Sequence, residues 1–137
     1  MSILRVDEIR DNGSTFNDVV KFANSGGTQN GTLCRAWVNF NGISTIAIRA
    51  NFNVNSITDN GTGDYTVNFS NALADANYVA SGLVMETGST GNTDWYMGIT
   101  RSTNVTDTFA TGSLKIAGVS GGGSPVDPGA LCVSVFR

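Results

Sequence analysis

The sequence predicts an all-β domain, an antiparallel β-sandwich or jelly-roll, behind a short amino-terminal segment that anchors or trimerises it. Gly, Asn, Thr and Ser occur 17, 15, 15 and 13 times among the 137 residues. Gly and Asn tolerate the positive φ angles of tight turns, and Thr suits a pleated strand. Only 14% of the residues are charged, and no long segment shows a sustained 3.6-residue apolar period, so helices are disfavoured.

The strand signals begin at residue 33. Residues 33–40 alternate in polarity, and Asn41-Gly42 predicts a turn into a second strand at 43–49. One face of the first strand is expected to carry Cys34, Ala36, Val38 and Phe40, and the other Arg35, Trp37 and Asn39. Ile46 and Ile48 share a face of the second, and an alternating run then continues through Phe52, Val54 and Ser56.

The strongest hairpin signal is the stretch Asp59-Asn-Gly-Thr-Gly-Asp64, which is followed by alternating Tyr65, Val67 and Phe69. Residues 71–77 are interpreted as a connection. Further strands are predicted at 78–85, 95–101, 108–115 and 131–136, with a Gly-rich loop at 118–129 before the last one, which makes about eight strands in all.

The chain divides at a polar, turn-rich stretch near residues 24–31. We expect an anchoring or trimerisation segment at 1–24, a linker at 25–31 and the β-domain at 32–137. The first segment is too short to bury its apolar side chains against itself. It either packs on the β-domain or, as we favour, intertwines with two other copies. Its apolar positions are Ile3, Leu4, Val6, Ile9, Phe16, Val19, Val20 and Phe22.

Charge and hydropathy exclude several function classes. The net charge is −3 and the basic residues form no cluster, which disfavours binding to nucleic acid or to an anionic membrane. The amino terminus lacks an apolar signal region and no apolar stretch is long enough to span a bilayer. Cys34 and Cys132 are interpreted as reduced, buried thiols, with a disulfide between the first and last strands of the β-domain as the alternative.

Catalysis is not expected. Histidine is absent, which removes Ser-His and Cys-His pairs. A glycan-cleaving enzyme is the third alternative, because two carboxyl groups suffice for glycoside hydrolysis. The closest pair in sequence, Asp59 and Asp64, flanks a turn, where an Asp side chain most simply accepts hydrogen bonds from nearby amides. A calcium loop would need further acidic ligands and a closing Glu. We therefore expect no enzyme activity, no metal and no cofactor.

Several runs resemble a module of tail-fibre and other virion proteins from phages of marine bacteria and cyanobacteria. They are Cys34-Arg-Ala-Trp-Val-Asn-Phe-Asn-Gly42, Ala47-Ile-Arg-Ala-Asn-Phe-Asn-Val54, the stretch 57–69, Ala74-Asp-Ala-Asn-Tyr78 and Val133-Ser-Val-Phe-Arg137. The resemblance covers residues 34–137 and, more weakly, 1–24. It implies a homotrimeric virion appendage, most simply a short tail fibre that attaches to the host surface. The long shaft of such fibres does not precede it here, so a head fibre, a capsid decoration or a baseplate protein without a receptor is the alternative.

The loop at 86–96 is the strongest binding candidate in the sequence. It combines Asn92, Asp94, Trp95 and Tyr96, and sugar recognition requires an aromatic face together with amide and carboxylate groups. The competing interpretation is that Trp95 or Tyr96 opens a strand and packs into the core. The expected partners are two further copies of the chain, another virion protein held by the amino-terminal segment, and a host surface glycan. The predicted trimer interface consists of Ile3, Val6, Ile9, Phe16, Val19, Phe22 and Trp37.

Overall fold

The computed structural model describes residues 19–24, 27–85, 95–98 and 108–137, which fall into two compact units divided between Leu33 and Cys34. In the first unit, β1 (Val19–Asn24) and β2 (Gly27–Thr32) pair antiparallel, from Val19 opposite Thr32 to Asn24 opposite Gly27. Residues 27–31 of the predicted linker belong to β2. Polarity indicated a surface segment there, but backbone pairing does not require apolar side chains.

The second unit contains only strands among its described elements. In chain order they are β3 (Cys34–Asn41), β4 (Ala47–Phe52), β5 (Val54–Gly61), β6 (Asp64–Phe69), β7 (Val79–Met85), β8 (Trp95–Gly98), β9 (Phe109–Ala110), β10 (Ser113–Ser120) and β11 (Ala130–Phe136).

These strands form two antiparallel sheets that pack together as a β-sandwich. Sheet I has the order β4-β3-β11-β7, and sheet II has the order β5-β6-β10-β8, with β9 also paired to β10. The prediction of an all-β sandwich is confirmed.

The core lies between the sheets and follows the alternation of the strands. β6 and β10 contribute Tyr65, Val67, Leu114 and Ile116, all at most 2% exposed. From sheet I, the predicted inner face of β3 is buried as expected at Ala36, Val38 and Phe40, opposite Leu131, Val133 and Val135 of β11. The Phe40 and Tyr65 rings meet edge to face across the sheets, with centroids 5.2 Å apart.

The predicted alternating run through Phe52, Val54 and Ser56 is wrong as a single strand. Asn53 has φ 53° and separates β4 from β5, so the chain leaves sheet I and enters sheet II at this residue. Its Nδ2 donates to the carbonyls of Arg35 (3.0 Å) and Asn71 (3.1 Å), and its Oδ1 accepts from the Asn71 amide (2.8 Å). Asn is one of the few residues that enter the left-handed region readily, which suits it to this corner. Phe52 is therefore exposed, whereas Val54 is buried.

The strand predicted at 108–115 is also divided. β9 and β10 form a tight hairpin in which Ala110 faces Ser113 across Thr111-Gly112. Gly112 has open space around it, which is compatible with an exposed turn. The turn was hard to predict because it is only two residues long and the sequence on either side of it has the pattern of a single strand.

Cys34 and Cys132 are both free and half-buried. They lie on adjacent strands, but Cys34 pairs with Phe136 and Cys132 pairs with Asn39. Four residues of β-strand extend about 13 Å, beyond the roughly 7 Å between Cα atoms that a disulfide permits. The structure favours reduced thiols over the disulfide, but the prediction that both are buried is wrong.

Candidate functional site

The predicted binding loop contributes two described residues, which open β8. Asn92 and Asp94 lie outside the described residues. Trp95 is half-buried and Tyr96 is 48% exposed, so strand alternation separates the two rings. Trp95 shares its face of β8 with Met97, which packs against the core, and Tyr96 lies on the opposite face. The competing core interpretation therefore fits Trp95 better than Tyr96.

Tyr96 lines a groove of about 630 Å³ on the outer face of sheet II. Asp64 of β6 and Gly98 of β8 both pair with Ala117 of β10, and Tyr96 pairs with Val119, two residues further along β10. The floor of the groove is formed by Gly98, Ala117 and Val119, and the first two leave room for a ligand because Gly98 has no side chain and Ala117 has only a methyl group. Its other described lining residues come from the β5–β6 turn and the Gly-rich loop, namely Asn60, Gly61, Thr62, Gly63, Gly123 and Pro125.

Polar side chains of β5 and β6 form the side of the groove opposite Tyr96, and hydrogen bonds between them fix their positions. The Asn60 Nδ2 donates to Thr66 Oγ1 (2.9 Å) and, at 3.4 Å, to Asp64 Oδ1. Asp59 accepts from the Gly61 amide (2.9 Å), the local turn contact expected from the sequence. Asp59 is therefore part of the turn, whereas Asp64 lines the groove.

The β5–β6 turn beside the groove is hydrogen-bonded to the Gly-rich loop at 118–129. Gly63 has φ 69°, its amide donates to Asp127 Oδ1 (2.7 Å), and its carbonyl accepts from the Gly118 amide (2.9 Å). The buried Tyr65 hydroxyl donates to the same Asp127 oxygen (2.8 Å). Burial, followed by this hydrogen bond to a carboxylate, raises the pKa of Tyr65 well above its ordinary value of 10.0. These hydrogen bonds stabilise the turn that lies between Asn60 and Asp64.

A second buried phenol braces the β9–β10 hairpin of the same sheet. The Tyr78 hydroxyl donates to the carbonyls of Ser113 (2.9 Å) and Ala110 (3.2 Å). Burial raises the pKa of Tyr78 to about 12.

Folding stability should therefore fall as the pH rises above about 10. Tyr65 and Tyr78 have higher pKa values folded than unfolded, so their stabilisation is complete below the unfolded value and is lost as pH approaches the folded value. Tyr78 is 7% exposed, and its shift corresponds to a loss on the order of 2–3 kcal/mol near pH 12. Urea midpoints measured from neutral to alkaline pH test this, with Tyr78→Phe expected to show a weaker pH dependence. An unchanged midpoint up to about pH 11 would contradict it.

The sequence did not link Asn60 and Asp64 to Tyr96. They lie more than thirty residues apart in the chain, and only the pairing of β6, β10 and β8 brings them to one groove. The composition of residues 59–64 predicts a hydrophilic turn, but it does not predict which strands lie beside that turn.

The predicted trimer-interface residues fall in different parts of the molecule. Trp37 lies on the outer face of sheet I and is 38% exposed. Val19 and Phe22 belong to β1. Ile3, Val6, Ile9 and Phe16 lie outside the described residues.

Within the described ranges, no group of three or more His, Cys, Asp or Glu residues is arranged to hold a metal ion. No helix in that part of the chain has the length and apolar character needed to cross a bilayer.

A scan against protein-family models, a search of curated proteins and a search of solved structures each gave no match.

Proposed function

We propose that this chain is a structural protein of a phage virion, a short tail-fibre module that attaches the particle to the host cell surface. It acts as a homotrimer, joins another virion protein through its amino-terminal segment and catalyses no reaction. The resemblance of residues 34–137 to such modules supports this proposal, and so does the absence of histidine from the sequence. The observation that carries the homomeric assembly in this proposal is the exposed apolar outer face of sheet I.

Apolar side chains dominate this outer face. Leu83 is 77% exposed and Val79 is 68% exposed, and Trp37 lies directly opposite Phe52 on the neighbouring strand. Contiguous apolar patches on a folded surface commonly mark interaction sites. The large exposed apolar residues of the face are Trp37, Phe52, Val79, Leu83, Met85 and Phe136.

The charge of sheet I favours other copies of this chain as the occupant. Its four strands contain no Asp, Glu or Lys, and their charged residues are Arg35 and Arg49. Arg49 donates to the Gly129 carbonyl (2.6 Å) and to Asn39 Oδ1 (3.3 Å), so its charge is held by contacts within the protomer. Two such faces can approach with little charged surface to desolvate, which suits a homomeric contact. The trimeric number comes from the resemblance.

A head fibre, capsid decoration or baseplate protein without a receptor is the second candidate. The apolar face favours it equally, because that face serves assembly whether or not a receptor is bound. The two candidates differ in what the remaining surface does.

An adsorption experiment separates them. Purified protein is added to host cells before the phage, and unadsorbed phage is counted. An attachment module occupies the receptor, so adsorption should fall in proportion to added protein. A heat-unfolded sample of the same protein is the control. Undiminished adsorption at saturating protein would overturn the attachment role and favour the assembly-only candidate.

A further inference from the structure

We propose that the groove on sheet II binds an uncharged pyranose of a host surface polysaccharide through Tyr96, Asp64 and Asn60. This inference rests on the proposed attachment function and names the ligand class and the residues that recognise it. The proposed site does not include the apolar outer face of sheet I.

The first argument is shape. Asp64 on β6 and Tyr96 on β8 lie on either side of β10, and two strand spacings with an offset of two residues along the strand separate their backbones by roughly 12 Å. Ala117, Gly98 and Val119 form the floor between them, and the first two have little or no side chain. A volume of about 630 Å³ lies within the range of roughly 300–1,000 Å³ common for small-ligand sites. One or two sugar rings fit between a polar wall and an aromatic wall.

The second argument is the chemistry of those walls. The C–H groups on one face of a pyranose pack on an aromatic ring, and its hydroxyls need fixed acceptors and donors. Tyr96 is exposed, whereas its neighbours Trp95 and Met97 lie on the opposite face of β8. Asp64 offers carboxylate oxygens, and the Asn60 amide, held by Thr66, steadies that carboxylate from one side.

The third argument is charge. Among the described lining residues, Asp64 is acidic and none is basic. An anionic sugar or a phosphate would meet the Asp64 carboxylate with no basic side chain among the described lining residues, so the groove favours an uncharged ligand. Glycoside hydrolysis ordinarily needs two carboxyl groups flanking the bond. Asp59, the nearest other carboxylate in sequence, is engaged with the Gly61 amide and does not line the groove. Among the described lining residues, Asp64 therefore has no second carboxyl group beside it, which suits binding rather than cleavage.

Four variants test the site. Tyr96→Ala removes the aromatic wall, and Asp64→Asn removes the charge while it keeps the shape. Ala117→Leu fills the floor without removing any polar group. Lys115→Gln is the matched control, because Lys115 lies on the same strand and face two residues away but does not line the groove. Melting temperatures identify any variant that is misfolded.

The probes are neutral dextran, mannan, galactan and N-acetylglucosamine oligomers, with polygalacturonate as the anionic comparison. Binding is followed by affinity electrophoresis and by saturation-transfer NMR on purified full-length protein. We expect at least one neutral probe to bind and polygalacturonate to bind more weakly. Tyr96→Ala and Ala117→Leu should each weaken the neutral interaction by about tenfold or more, and Lys115→Gln should leave it unchanged.

The outcomes distinguish this inference from the function on which it rests. If folded Tyr96→Ala and Ala117→Leu proteins both bind like the wild type, the groove is not the site. If no neutral probe binds the wild type although that protein blocks phage adsorption, the saccharide assignment fails and the attachment function stands. If polygalacturonate binds best, the charge argument is wrong.

Discussion

Replacing Leu83 by Asp should convert the proposed trimer, of about three times 14.3 kDa, into a monomer. Leu83 lies on β7 opposite Cys132 of the neighbouring strand and is the most exposed large apolar residue described. In the proposed assembly this side chain is covered by another copy, so the variant would bury a carboxylate without a partner in each interface. Such burial costs several kcal/mol per ion, enough to shift the association constant by orders of magnitude. Light scattering at micromolar protein measures the mass.

The matched control is Thr111→Asp, which adds the same charge at an exposed turn between β9 and β10. This variant should keep the wild-type mass. Because Leu83 is exposed within the protomer, circular dichroism of Leu83→Asp should still show a β-sheet spectrum. A wild type that is monomeric at micromolar concentration, or a Leu83→Asp protein that remains trimeric, would contradict the assembly proposed for sheet I.

Gly63→Ala should destabilise the β-domain by roughly 3 kcal/mol or more, because backbone strain and a steric clash act together there. Gly63 has φ 69°, in the left-handed region that costs an L-residue roughly 1–2 kcal/mol. A Cβ at this position would lie 2.6 Å from the Gly118 carbonyl oxygen and 2.7 Å from the Val126 nitrogen. Both are backbone atoms, so the loop itself would have to move and the Asp127 and Gly118 hydrogen bonds would weaken.

Two other glycines separate the contributions. Gly61 has φ 126° but open space, so Gly61→Ala should show the conformational cost alone. Gly112 has open space and no positive φ, so Gly112→Ala should be close to neutral. Urea unfolding of the three variants should therefore rank Gly63 as the most damaging, then Gly61, then Gly112. Equal urea midpoints for Gly63→Ala and Gly112→Ala would contradict the close packing of Gly63 against the backbone of Gly118 and Val126.

Local patterns predicted much of the sandwich. The alternation of β3 and β6 identified their buried faces, and the Gly-Asn composition of residues 59–64 identified the β5–β6 hairpin, because both signals act within a few residues. The sheet change at Asn53 was missed because the polarity pattern runs unbroken through it. Its cause is a φ angle and hydrogen bonds to Arg35 and Asn71, which sequence spacing does not reveal.

The two functional surfaces show the same limit. Tyr96 was identified from its own neighbours in sequence, whereas Asp64 joins it only through the pairing of both strands with β10. Likewise, Trp37 was expected to face away from Val38 and Phe40, but Leu83 and Phe52 carried no sign that they share its outer face. Strand order is a long-range property, so a surface built across strands could not be assembled from local periodicity.

The location of the protein on intact particles tests the central claim most directly. Purified phage particles are labelled with gold-conjugated antibody raised against residues 34–137 and viewed by electron microscopy, with immunoblotting of the same particles. An attachment module predicts label at the tail, at the end that meets the host. Label confined to the capsid would replace the tail-fibre role with the decoration alternative, and particles that contain none of this protein would contradict the virion assignment altogether.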